Sequence, residues 1–270
     1  METVYQEIRE RARKIVSQYP VPEFYQQFAE ASELSQRYLT RNQELQQLWK
    51  TVNSYLDDDY GHGPQHAQKV SRDAGTLIII EGRRQGHTER FIQRHIFLTQ
   101  CAGLLHDIMR KEHDHAIAGA ELAADILSDF SLNAVEIRHV CNAIRNHEAF
   151  KKTIRIDSAA GEMISDCLYD ADKFRWGPDN FTDTLWDMIA FLKPPPPVFL
   201  KKFPRGMASL EKIKLTFRTH TGIRYGPQFI DIGIAVGKRL YRILLAEEAF
   251  NPLLQTEVED GATHPSVLEH

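Results

Sequence analysis

Apolar residues recur at helical spacing along nearly the whole chain, and no segment alternates convincingly with the period of two expected of a half-buried strand. Residues of about 3–18 and 23–58 read as two or three polar, amphipathic helices separated by Pro20-Val21-Pro22. Tyr60-Gly61-His62-Gly63-Pro64 then breaks the chain, with Pro64 suited to a first helical turn. The helix that follows, about 64–84, carries the stripe His66, Val70, Ala74 and Leu77. Gln85-Gly86-His87 ends it, and Thr88 is an N-cap for a helix to about Asp107, with Phe91, His95, Leu98, Ala102 and Leu105/His106 along one face. Asp114 is placed to cap about 115–128, Ser131 about 132–148, and Asp157 or Ser158 about 158–174.

After an irregular stretch of about 175–183 comes a short helix with Leu185 and Ile189, then Pro194-Pro195-Pro196-Pro197. Four prolines in a row predict a stiff polyproline II loop within one domain, because the flanking helices are too few to build a second core. Residues 206–248 resume helical character, with interruptions expected at Gly222, Gly226-Pro227, Gly233 and Gly237. Arg218 to Gly226 reads as a basic loop between two helices, and the tail from about 251 as polar and frayed, ending in a tag remnant, Leu268-Glu269-His270. The expectation is an all-α, single-domain orthogonal helical bundle: helices of 1–58 packed on a core of 59–248, with 249–270 as a tail.

Composition narrows the function classes. A chain that is 42% apolar and 26% charged is an ordinary globular one, and a net charge of −4 disfavours an extended nucleic acid as partner. Cys101, Cys141 and Cys167 sit at apolar helical positions without a CxxC pair, which predicts reduced core residues and a cytoplasmic setting. The N-terminus has no apolar signal-peptide region, and the dense run Leu77-Ile78-Ile79-Ile80 is too short to span a bilayer, so no membrane partner is expected.

Candidate chemistry lies at the helix ends. His66 begins one apolar stripe and His106 ends another; His147 extends the stripe Ile137, Val140, Cys141, Ile144, and Asp172 extends Ile164 and Leu168. His115 starts its own helix. A lone histidine on an apolar face is more often a satisfied core residue, and His95 reads so. An inward carboxylate without a partner is costly, however, and several such groups on separate helices are best explained by convergence on a cation.

His66-Ala67-Gln68-Lys69-Val70, Leu104-Leu105-His106-Asp107 and Asp170-Ala171-Asp172-Lys173-Phe174 resemble the H…HD…D signature of the HD-domain superfamily of metal-dependent phosphohydrolases. The resemblance covers roughly residues 60–175 and implies that His66, His106, Asp107 and Asp172 ligate a divalent metal. His115 to Leu122 and Asn146-His147-Glu148 resemble the third- and fourth-histidine elements of a dinuclear branch, in which Asp107 would bridge two metals. This chain departs from that branch in the short Asp107–His115 spacing and in having Glu after His147 rather than a second His before it. One metal and two both stay open; with one, His115 and His147 face the substrate phosphate or a water. Imidazole and carboxylate donors suit Fe, Mn, Co or Ni, and Mg less well.

The resemblance implies a phosphomonoesterase or phosphodiesterase acting on a nucleotide or other small phosphorylated metabolite through a metal-bound hydroxide. Asp107 then belongs to the catalytic group, as do Arg110 and Lys111, placed for the phosphoryl oxygens, although a solvated helix end explains the two cations equally well. His62, Lys173, Arg218 and Arg224, with His220, are candidate substrate contacts; a structural loop histidine and an ordinary basic surface loop are the competing readings. Asp170 is either a group orienting a ligand histidine or a surface residue. Two other classes share the ligand pattern: a di-iron oxygenase, and a non-catalytic nucleotide-binding regulatory module. A homodimer stays open among the partners.

Overall fold

The computed structural model describes residues 2–56 and 63–246, and every regular element among them is helical. The α-helices are α1 (Glu2–Val16), α2 (Glu23–Gln27), α3 (Ala29–Arg41), α4 (Gln43–Asn53), α5 (Pro64–Arg84), α6 (Glu89–Leu105), α7 (His115–Leu127), α8 (Ala134–Arg145), α9 (Ala159–Phe174), α10 (Leu185–Leu192), α11 (Pro196–Ile213) and α12 (His220–Ala246). A π-helical turn, Asn180–Thr184, leads into α10. His62 and the tail from 247 onward lie outside the described residues. Among the described residues no helix is long and apolar enough to cross a membrane.

The bundle is built around α5 and α6. These two pack most intimately at Gly103, where a Cβ would come within 2.6 Å of the Ser71 Cα, so that only a residue without a side chain lets the backbones meet. Helix α9 lies on α5 and α8, and α7 lies on α8. One apolar cluster runs from Ile8 in α1 to Leu244 in α12 and has no break between the N-terminal helices and the rest. Phe24 of α2 sets its ring 4.9 Å from Phe174 of α9, and Gln100 of α6 reaches the Ser35 carbonyl of α3 at 2.9 Å.

Helix starts follow local capping chemistry. Thr88 accepts from the Phe91 N–H at 3.3 Å and Ser158 from the Gly161 N–H at 3.1 Å. Ser131 does not cap α8. Asn133 does, in a reciprocal capping box with Glu136, so the helix begins two residues later than the pattern suggested. Asp114 precedes α7 without a side-chain capping bond.

Two sequence expectations fail in the C-terminal third. The four prolines are not all extended: α11 begins at Pro196, since a proline at the first helical positions lacks only an N–H that would have no partner there. The glycines do not interrupt α12, which is continuous for 27 residues through Gly222, Gly226, Pro227, Gly233 and Gly237. They are contact points, as at Gly237, where a Cβ would stand 2.5 Å from the Met207 sulfur of α11. The basic loop therefore shortens, and Arg224 lies on a helix.

Candidate metal centre

Five helix ends converge on one place. His66 is in the first turn of α5, His106 is the C-cap of α6, His115 opens α7, His147 follows α8 by two residues, and Asp172 is in the last turn of α9. Asp107 comes with His106. All six side chains are buried. Asn146 fixes the turn carrying His147, its amide accepting from the Ile154 N–H at 2.8 Å and donating to the Ile154 carbonyl at 3.0 Å.

The six groups divide into two sets that share Asp107. In the first, His66 Nε2 lies 3.2 Å from His106 Nε2, 3.2 Å from Asp172 Oδ1 and 3.8 Å from Asp107 Oδ2. His106 Nε2 is 3.3 Å from Asp107 Oδ2 and 3.8 Å from Asp172 Oδ1. In the second, Asp107 Oδ1 lies 3.5 Å from His115 Nε2 and 3.4 Å from His147 Nε2, and those nitrogens are 3.3 Å apart. Each carboxylate oxygen of Asp107 thus faces one set.

Tautomers follow from the backbone. His106 Nδ1 lies 2.8 Å from the Gly103 carbonyl, and His147 Nδ1 lies 2.6 Å from the Ile144 carbonyl. A carbonyl can only accept, so each Nδ1 carries the proton and each Nε2 turns a lone pair inward. Burial lowers the His66 pKa although Asp172 opposes it, and burial takes His115 down to about 3 against the pull of Asp107. His106 differs: burial would lower it, but the Asp107 and Asp172 carboxylates raise it overall. Burial would raise Asp172, yet Lys173 and the histidines hold it well below the usual carboxylate range.

The outcome is a pocket of acceptors directed at one another. Most of these separations, 3.2–3.8 Å, are too long for good hydrogen bonds. They match the edges of a coordination shell, because bonds of roughly 2.0–2.2 Å set ligand atoms about 3.0–3.5 Å apart. His66, His106 and Asp107 form one group able to hold an ion, and Asp107, His115 and His147 form another. The donor set fits divalent transition metals.

Residues 65–174 match the family model of the HD domain, a span that includes all six groups. The chain carries an HD domain. HD domains bind divalent metals and belong to a superfamily of metal-dependent hydrolases. No curated protein and no solved structure matches the chain.

Around this HD site the other candidates separate. Arg110 reaches inward, Nη1 lying 2.8 Å from His115 Nε2 and 3.9 Å from Asp107 Oδ1. Lys111 is exposed. Lys173 is buried, donates to Asp172 Oδ2 at 2.5 Å, and has its ammonium 5.1 Å from the Tyr169 ring centroid. Its ammonium is therefore engaged with Asp172. Arg218 stacks on Tyr169 at 3.5 Å and Arg224 lies over Tyr225 at 5.2 Å. Neither contacts the six groups among the described residues.

Asp170 is buried but orients no histidine; it accepts from the Arg218 and Thr219 N–H groups at 2.9 and 2.8 Å and from the Thr219 hydroxyl at 2.7 Å. Burial pushes its pKa up to about 7, against those donors. His95 is a core residue, its ring stacked on Phe91 and Nδ1 at 2.7 Å from the Phe91 carbonyl.

Sequence reasoning missed two neighbours. Glu148 Oε1 comes within 3.9 Å of His115 Nδ1, and Lys69, one turn beyond His66, pairs with Asp183 Oδ2 at 3.0 Å. The Lys69 signal was its position three residues from His66 on the same helix.

Proposed function

We propose that this protein is a phosphohydrolase acting on a nucleotide or another small phosphate ester. The observation that carries the reading is the sharing of Asp107 by two donor sets, with the Arg110 guanidinium against His115. His66, His106, Asp107, His115, His147 and Asp172 would hold a divalent ion, which would supply an acidified water and Lewis acidity toward a phosphoryl oxygen. The protein supplies the rest. His106 and His147, locked by backbone carbonyls, need no reorganisation to present their lone pairs. Lys173 keeps Asp172 ionised and oriented so that Oδ1, not Oδ2, faces the histidines. Arg110 and Lys111 come three and four residues after Asp107, and in this reading they neutralise phosphoryl oxygens, Arg110 as a two-pronged donor. The net charge of −4 favours a small anion met by local cations over a long polyanion.

The test is phosphate release from a panel of nucleoside mono-, di- and triphosphates and aryl phosphates, by protein loaded in turn with Mn, Co, Ni or Fe, beside Asp107→Ala. Release that depends on metal and is absent in the variant is expected. Metal-loaded protein that hydrolyses nothing in the panel overturns the reading.

A further inference from the structure

Arg110 stands where a cation would be bound. Its Nη1 is 2.8 Å from His115 Nε2, the ring nitrogen that faces Asp107 Oδ1 at 3.5 Å and His147 Nε2 at 3.3 Å. A guanidinium only donates, so in this contact His115 Nε2 is the acceptor and its single lone pair is occupied. That lone pair cannot serve a metal and an N–H at once. A second positive charge placed among Asp107, His115 and His147 would also repel the guanidinium at short range and low dielectric. The first set differs. His66, His106 and Asp107 have Asp172 beside them, and the cation nearest that set, Lys173, binds the outer oxygen of Asp172 and leaves Oδ1 turned to the histidines.

We infer that Arg110 and a metal ion compete for the set Asp107, His115 and His147, so that this second ion binds more weakly than the first and displaces Arg110 when it does. Arg110 is then a built-in placeholder. Its guanidinium holds the second site's shape and, once expelled, is released beside both metal sites, where it can bind an anionic substrate. Loading of the second ion and recruitment of a phosphate are thereby coupled. The inference rests on the phosphohydrolase reading only in its last step; the competition itself is a statement about cation binding.

Metal-binding titrations of the full chain with Mn, by calorimetry and by counting bound ions after dialysis, test it in wild type, Arg110→Met, His115→Ala and the double variant. Circular dichroism checks that each is folded, and Arg110→Lys serves as the milder variant should Arg110→Met not fold. Wild type is expected to bind one ion tightly and a second more weakly. Arg110→Met is expected to tighten the second at least tenfold and leave the first unchanged, and a spin-coupled Mn pair seen by electron paramagnetic resonance is expected at lower metal concentration. His115→Ala is expected to abolish the second ion in both backgrounds. A second affinity that is unchanged or weakened by Arg110→Met overturns the competition, and so does equally tight binding of both ions by wild type. Metal binding as described, with inorganic phosphate binding no better to the two-ion form, overturns the coupling alone. Absence of hydrolysis would count against the proposed function and leave the competition standing.

Discussion

Two buried polar clusters sit on opposite stretches of α5, and they are built to opposite plans. The first contains Asp73, whose Oδ2 accepts from the Tyr25 hydroxyl at 2.6 Å and from Arg175, while Oδ1 accepts from Arg72 Nε at 2.9 Å. Arg175 also donates to Tyr25 at 2.6 Å and to Asp179. Donors meet acceptors, with only Arg175 Nε left over. Burial alone would lower the Arg175 pKa, but Tyr25, Asp73 and Asp179 raise it, so its charge is secure. The second cluster, around His66 one helix end away, sets acceptors against acceptors, with imidazole nitrogens 3.2 and 3.3 Å apart. Both clusters are buried and both contain carboxylates, so burial of charge does not tell a site from a brace. The difference is how far the protein supplies the positive partner itself: Arg175 lies at the centre of the first cluster, whereas Arg110 and Lys173 meet the second at its edges, on His115 and Asp172.

That contrast can be broken most directly at Asp107. Asp107→Ala removes an oxygen from each donor set, and hydrolysis is expected to fall by about a thousandfold or more, the equivalent of roughly 4 kcal/mol of lost transition-state stabilisation. The same variant is expected to change metal-free stability by less than about 1 kcal/mol, because the contacts of Asp107 with Arg110 and the histidines are long, 3.3–3.9 Å. Asp73→Ala should do the reverse: it takes the carboxylate from the buried Arg175 and the half-buried Arg72, and chemical denaturation is expected to show a loss of about 3–5 kcal/mol. The folded fraction should keep its metal stoichiometry. Equal stability losses in the two variants would erase the distinction.

Metal addition sharpens the comparison next. Free ion at a hundred times its dissociation constant is expected to stabilise wild type by about 2.7 kcal/mol, reversed by chelator and absent in Asp107→Ala. Lys173→Met is expected to weaken the first ion by about 10–100-fold, as loss of a group orienting a ligand does, with a melting temperature in chelator close to wild type. The smallest effect is a pH dependence in the metal-free protein. His115 falls from 6.5 to about 3 on folding, so the unfolded chain takes up a proton that the folded state refuses. Stability therefore declines as pH drops below about 6.5 and ceases to change from this cause below about 3, and His115→Gln is expected to flatten part of that slope.

How far the sequence could be read depended on the range of the forces involved. The helices 64–84, 88–107, 115–128 and 158–174 were legible to within two residues, because 3.6-residue periodicity and caps such as Thr88 and Ser158 are local. The start of α8 was missed by two residues because Ser131 and Asn133 are both good caps, and only the Glu136 side chain, by completing the box, chooses between them. The glycines of α12 looked like breaks because a sequence does not show Met207 pressing on Gly237. Lys173 read as a substrate contact, and its pairing with Asp172 came only from the packed structure.

The amino-acid pattern alone determined an all-helical chain and placed His66, His106, His115, His147 and Asp172 at inward-facing helix ends, since burial of an apolar stripe fixes which way its neighbours point. What it could not determine was partnership. Asp73 in α5 and Asp107 just past α6 each have one partner beside them in sequence, Arg72 and His106, but nothing nearby says that the first also meets Arg175 and the second three further imidazoles. Those further partners come from helices as much as 102 residues away in the chain, and only tertiary packing decides which carboxylate meets guanidinium groups and which meets imidazoles.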